Sequence, residues 1–331
     1  MHQFSRRAVL GGLGGLGVAG LLPSAGRAAP LLDSLTIAGM PATPSVVLAH
    51  MVESDALAGH VGKARLKLWR TPDQVRAGVV SGEMKVFGIP AYSCANLKNR
   101  GAPVRMLNIM TWGLLYVMSR DPSITRIEDL AGRTILQSFR GDAPDLVFRQ
   151  ILRKLGMNAD KDVTLNYVAT PTEAGQLFLA GKADVAILQE PMATAIQMRG
   201  MQAGISVHRV LDLTEIYGKV NNRKAGIPQA GLGVSEELIQ QRPELVRAIH
   251  QSCVASARWV GNNPASAGRL GTDYLDLPGP IIERSLPHFR LGVVSAAESR
   301  AEMEAFFGDL LEMSPDILGG KLPEGGFYWG V

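Results

Sequence analysis

Few residues in this chain have the types and spacings that could do chemistry. There are two cysteines, Cys94 and Cys253, and six histidines spread along the sequence. No CxxC, HExxH or clustered histidine pattern offers the ligand spacing of a metal site. A cysteine nucleophile wants a base beside it, and the histidines nearest to Cys94 in sequence are His50 and His60. Cys253 falls on the apolar stripe of a helix, and both cysteines read as unpaired thiols. The carboxylates are more informative. In "GDAPDLVFRQILRKLG" Asp142 can cap a helix whose first turn holds Pro144 and Asp145,. A last signal, Arg6-Arg7 in "SRRAVL", concerns address and not catalysis.

The arginine pair precedes a Gly/Leu/Ala stretch from Ala8 to Leu22, and "GRA" offers small residues for cleavage after Ala28. Residues 1–28 therefore read as a twin-arginine signal peptide. The apolar stretch is shorter than the ~20 residues of a membrane-spanning helix. The expected product is periplasmic, where a disulfide is chemically allowed. The segment carries Arg6, Arg7 and Arg27 and no acid, so removing it nearly balances the 34 basic and 30 acidic residues. Nothing then asks for nucleic acid or an anionic membrane. The roughly 300 residues that remain exceed the ~250 at which a single core stops growing, which suggests two domains.

Two segments repeat each other. "TPDQVRAGVVSGEMKVFGIP" begins at Thr71, and "TPTEAGQLFLAGKADVAILQEP" begins at Thr170, 99 positions later. Each reads as a Thr cap, Pro at the first helical position, a helix ended by Gly82 or Gly181, and a short strand, Val86–Ile89 or Val185–Leu188. Around them strands are expected within Ser34–Thr43, Ala64–Arg70, Thr134–Gln137 and "DVTLNYV", and in "ISVHRVLDL" and "QAGLGVSEEL". Val104–Arg120 reads as two strands, because Thr111-Trp112-Gly113 interrupts its apolar run. Pro243–Val260 is a long amphipathic helix. Alternating strands and helices imply parallel sheets with ligand loops at the strand C-termini.

"IEDLAGRTI", the capped helix after it, and "TPTEAGQLFLAGKADVAILQEPMATA" together resemble the substrate-binding proteins of ABC importers, of the nitrate/sulfonate/taurine and thiamine-pyrimidine type. The resemblance covers most of the chain beyond the signal peptide. It implies an α/β, type II periplasmic binding fold: two Rossmann-like α/β lobes joined by two crossovers, with the ligand cleft between them. Lobe one is expected over 29–119 and 228–331, lobe two over 120–227, with crossovers at Ser119–Asp121 and Asn221–Pro228. Carried over loop by loop, lobe one offers Thr43, Ser45, Ala91, Tyr92, Ser93, Thr111, Trp112 and Gly113. Lobe two offers Ser138, Arg140, Gly141, Asp142, Gln189 and Glu190, and Gln229 lies at the return crossover. Structural readings stand beside these: Tyr92 and Trp112 as core aromatics, Ser93 as a cap, Glu190 as a brace of its own loop, Arg140 as a surface charge.

One departure from the family pattern bears on the solute. Members that bind sulfonate or nitrate often have small neutral residues at the lobe-two helix start, where free amides favour an anion. Asp142 and Asp145 occupy that turn here and would repel one. With Glu190 and the rings of Tyr92 and Trp112, the site suits a planar heteroaromatic. An organosulfonate partnered by Arg140 stays open. The expected partners are this small-molecule solute and the membrane permease of an ABC importer, with no cofactor and no metal, and the chain acting as a monomer. The competing class is an enzyme on the same fold, desulfinase-like or pyrimidine-forming, using Cys94.

Overall fold

The computed structural model describes residues 32–224 and 226–330; the expected signal peptide lies outside them. The chain opens with β1 (Leu35–Gly39), α1 (Ser45–Glu53), β2 (Ala64–Leu68), α2 (Pro72–Val80), β3 (Val86–Pro90), α3 (Ala91–Asn99) and β4 (Val104–Thr111). A second run holds β5 (Leu115–Ser119), β6 (Thr134–Ser138), α4 (Ala143–Lys154), β7 (Thr164–Val168), α5 (Pro171–Leu179), β8 (Val185–Gln189), α6 (Met192–Gln202), β9 (His208–Asp212) and α7 (Leu213–Val220). The last run is β10 (Ala230–Ser235), α8 (Glu236–Gln241), α9 (Pro243–Asn262), α10 (Pro264–Leu275), α11 (Gly279–Ser285), β11 (Leu291–Ser295) and α12 (Arg300–Met313).

Among the described residues the named strands form two sheets, ordered β11-β4-β10-β3-β1-β2 and β7-β6-β8-β5-β9. Read from the parallel edge, the two orders match strand for strand: β2 with β7, β1 with β6, β3 with β8. In each sheet the next strand, β10 or β5, is antiparallel and is the first strand after a crossing from the other lobe. This explains the repeated sequence. The Thr71 and Thr170 hydroxyls accept from the backbone N–H of Gln74 and Glu173, and each is followed by Pro at the helix start. Gly82 and Gly181 take φ of 77° and 73°, the left-handed turn that glycine enters without a Cβ penalty. Ile37 lies opposite Val86 in one sheet and Ile135 opposite Val185 in the other.

The lobe boundaries need a correction. β5 pairs antiparallel with β8 and β9, so Leu115–Ser119 belongs to lobe two, and the first crossing is Trp112–Leu114, not Ser119–Asp121. Apolar patterning alone cannot reveal this, because β4 and β5 are both buried and only their partners differ. The return crossing runs from Asn221 to Gln229. The two are hydrogen-bonded to each other: Ile227 N–H donates to Trp112 O at 2.7 Å and Gln229 N–H to Thr111 O at 2.9 Å. The chain at Arg290 joins them, accepting from Trp112 N–H at 2.9 Å and donating to Gly113 O at 3.2 Å. Gly113 is required here, since a Cβ would stand 2.6 Å from the Thr214 side chain.

One apolar cluster runs from Phe87 and Ile89 of the first sheet, through Phe306 and Phe307 of α12, to Phe148 of α4 and Val185 of the second sheet. The outer faces have their own clusters, under α1 and α9 on the first sheet and under α5 and α6 on the second. Polar links fasten α12 to lobe two: Arg153 Nη2 to Glu312 at 3.0 Å, and Asp309 to both Tyr217 Oη and Arg223 Nη1.

Candidate functional site

The C-terminal ends of β3 and β6 meet across a small cavity of about 10 Å³. Lobe one contributes Tyr92 and Phe306, lobe two Leu115, Ala143, Pro144 and Val147, and the return crossing Ile227 and Gln229. The volume holds about one water. Tyr92 crosses the gap, its hydroxyl bonded to the Asp142 carboxylate at the α4 start. Burial, reinforced by that carboxylate, holds the phenol well above its ordinary range,. Gln229 ties the site to the hinge, its backbone O accepting from Ala91 N–H at 2.9 Å.

Three of the expected lobe-one residues share one property. Thr43, Ser45 and Thr111 are buried at 2%, 0% and 0% exposure, and none of their hydroxyls has a hydrogen-bond partner. Each such group costs about 1–3 kcal/mol when left unmet. Ser93 lies beside Tyr92 and hydrogen-bonds with it. Ser138 ends β6, buried, and Gln189 ends β8 opposite Leu115, half-buried.

Other expected site residues are already engaged. Glu190 is buried, accepts from Thr194 N–H at 3.2 Å and pairs with Arg209. It braces its own loop, the structural reading of that residue. Arg209 in turn sits 5.1 Å over the Tyr116 ring and bonds His288 Nε2 at 3.0 Å. Tyr116 is pushed up to about 12 by burial, with Asp212 and Glu190 adding to it. Arg140 lies exposed with its guanidinium 5.1 Å over the Tyr167 ring. Trp112 is half-buried in the crossing. Its indole N–H donates to Gly292 O at 2.8 Å, and Gly226 lies against the ring. That makes it first a brace of the hinge. Gly113, beside it, forms the crossing.

Two amides at the α4 start are already met by carboxylates. Asp142 accepts from Ala143 N–H at 2.8 Å, and Asp145 accepts from Gly141 N–H at 2.8 Å. Asp145 also takes Arg149 Nε at 3.2 Å and the Tyr167 hydroxyl at 2.7 Å.

Cys94 is fully buried on α3 and burial pushes its thiol up, the reverse of what activates a nucleophile. Cys253 is buried on α9, and both are free thiols. Residue-by-residue reading missed Gln137, a carboxamide 1% exposed on β6 with both polar atoms unpaired. The signal was available: a Gln at a core-facing position of an apolar strand.

With this geometry in view, the match to known proteins is decisive at the family level. The NMT1/THI5-like family model matches residues 75–267. The chain belongs to that family. Among curated proteins none matches it. An ABC transporter structure from Parabacteroides distasonis is similar at 20% identity and TM-score 0.76, over 90% of this chain and 99% of that one. The periplasmic aliphatic sulphonate binding protein SsuA from Escherichia coli is similar at 15% identity and TM-score 0.70, over 91% of this chain and 98% of that one. A DszB mutant in complex with biphenyl-2-sulfinic acid aligns at 19% identity and TM-score 0.61, over 88% of this chain and 94% of that one. The fold is thus the type II periplasmic binding fold. No helix of the described residues is long and apolar enough to cross a membrane.

Proposed function

We propose that this protein is a periplasmic solute-binding protein, exported by its twin-arginine signal, that encloses a small molecule between its lobes and delivers it to the permease of an ABC importer. The observation that carries the reading is the set of buried, unpaired hydroxyls at Thr43, Ser45 and Thr111, which follow β1 or end β4. Groups left unmet at that cost mark where a bound solute supplies the missing partners. The neighbours on the fold support the transport class, SsuA by its name a sulphonate binder.

For the solute we favour a planar heteroaromatic over an organosulfonate. Asp142 and Asp145 take up amides at the α4 start that an anion would otherwise use, and Arg140 is drawn onto Tyr167. Tyr92 offers a ring and Gln229 a carboxamide to the same cavity. The enzyme reading loses its nucleophile, because Cys94 is inaccessible and its thiol is held protonated. A thermal-shift panel tests the solute class, with aminopyrimidines and aminopurines set against alkane- and arylsulfonates. Stabilisation by the heterocycles alone is expected; stabilisation by the sulfonates alone overturns the assignment.

A further inference from the structure

We propose that His288 is a pH-sensitive latch between the lobes: its neutral ring holds them together through Arg209, and its protonation frees them and the solute between them. The inference rests on the solute-binding reading above. His288 belongs to lobe one. It follows α11, whose Ile282 lies in the apolar cluster under α1 and α9, and Leu286 packs against that cluster. Arg209 belongs to β9 of lobe two. Its guanidinium is held there by Glu190, by Thr194 Oγ1 at 2.9 Å and by Gln197 Oε1 at 3.3 Å. The other Nη1 contact crosses to lobe one, 3.0 Å from His288 Nε2. The Tyr116 hydroxyl of β5 makes a second crossing bond, to His288 O at 2.7 Å.

Arginine has only N–H groups to offer and keeps its charge. In a bond with it His288 Nε2 must accept, so the ring is neutral with its proton on Nδ1. Protonation at Nε2 ends that bond and sets two cations 3.0 Å apart. The ring also faces Glu190 after β8, Asp212 at the end of β9, and the Tyr116 ring edge-on at 6.1 Å. Both carboxylates favour the imidazolium, but both are engaged. Glu190 takes Arg209 and Thr194 N–H; Asp212 takes Arg290, Thr214 N–H and Glu215 N–H. On its solvent side His288 lines a groove of about 710 Å³ beside α6, together with the further cation Arg284 of α11 and with His208 of β9. Burial, with Arg209 adding to it, holds the ring below its ordinary range against the two carboxylates,. When the lobes part, the ring loses Arg209 and its cover and titrates near its ordinary value of about 6.5. Below that pH the parted protein binds more protons than the joined one, and solute affinity falls as the medium acidifies.

The test measures affinity at pH 7.5 and 5.5, after unfolding and dialysis have removed any carried solute. The probes are members of the panel above that keep their charge between these values: 2-aminopyrimidine, adenine and the sulfonates. For the probe that wild type binds best, affinity is expected to fall about three- to tenfold from pH 7.5 to 5.5, within the limit that one proton taken up near 6.5 sets. His288→Gln offers Arg209 a carboxamide oxygen that does not titrate. It is expected to keep the wild-type affinity at pH 7.5 and to lose the pH dependence. His288→Phe has no acceptor. It is expected to bind about three- to tenfold more weakly at pH 7.5, again without pH dependence. The position is half-buried, so either variant can stand if the other fails to fold. Equal wild-type affinity at the two pH values overturns the latch and leaves the solute-binding reading intact. A pH dependence that persists in the variants overturns it too, because the titrating group then lies elsewhere. Wild type that binds none of the panel overturns the solute-binding reading, and the inference with it.

Discussion

At the residue scale, the side chains that close the site are separable from those that hold it. Tyr92→Phe keeps the ring in the cavity and removes the hydroxyl with its bonds to Asp142 and Ser93. It is expected to speed solute release by roughly three- to tenfold, about 1 kcal/mol, with little change in melting temperature. Stopped-flow release of bound solute checks this, and an unchanged off-rate would show that the bond does not hold the closed state. Trp112 has a different signature. Trp112→Phe loses the N–H bond to Gly292 O and is expected to cost about 0.5–1.5 kcal/mol of folding stability; Trp112→Ala is expected to cost more, up to about 3–5 kcal/mol. Urea melts of both variants measure it, and full stability of Trp112→Ala would return the ring to the ligand site. The sequence marked the strand-end loops well, because loop position follows from the α/β pattern. It could not say which of their side chains were already engaged. Glu190 is consumed by Arg209, 19 residues away, and Arg140 by Tyr167 on a neighbouring strand. Those pairings exist only once the sheet has formed.

At the element scale, the repeated helix start makes a paired prediction. Thr71→Ala and Thr170→Ala remove the same cap from the same motif. Each is expected to cost about 0.5–2 kcal/mol, by denaturant unfolding, and no loss at either would show that water replaces the cap. Thr, Pro and Gly at fixed offsets made these helices legible, as Asp142, Pro144 and Gly156 did for α4. What stayed hidden was non-local. β11 is five residues in a loop-rich tail, and its identity comes from pairing with β4. α7 was missed because its eight residues follow β9 directly, with Asp212 both ending the strand and capping the helix through Thr214 and Glu215 N–H. Ile127–Leu130 forms a 3-10 turn in which Asp129 accepts from the Thr125 and Arg126 N–H groups. The lobe assignment of β5 turned on pairing alone.

At the scale of the whole molecule, stability is expected to fall as the medium acidifies. Burial lowers the pKa of His50, His250 and His288; Arg209 adds to the effect at His288, while Glu298 at His250 and Glu190 and Asp212 at His288 oppose it. The unfolded chain protonates these rings near pH 6.5, the folded chain only at lower pH. The unfolded state therefore binds more protons below about 6.5, and stability drops as pH falls through that value. Unfolding at pH 7.5 and 5.5 should show the loss, and His250→Gln should shrink it; a stability that rises toward pH 5.5 would contradict the assignment. The crossings at Trp112–Leu114 and Asn221–Gln229 are bonded to each other and to the chain at Arg290, while α12 and the Tyr92–Asp142 bond span the lobes. On the proposed solute-binding reading, the cavity of about 10 Å³ is expected to open by motion at the crossings for a solute to enter. The central claim is that a solute is held between the lobes and returned unchanged. Mass spectrometry of protein purified from the periplasm under native conditions tests it most directly. One small-molecule adduct per chain is expected, released intact on denaturation and rebound by the refolded protein. Protein that carries no adduct and rebinds nothing from periplasmic extract, or an added solute recovered as a different compound, would contradict it.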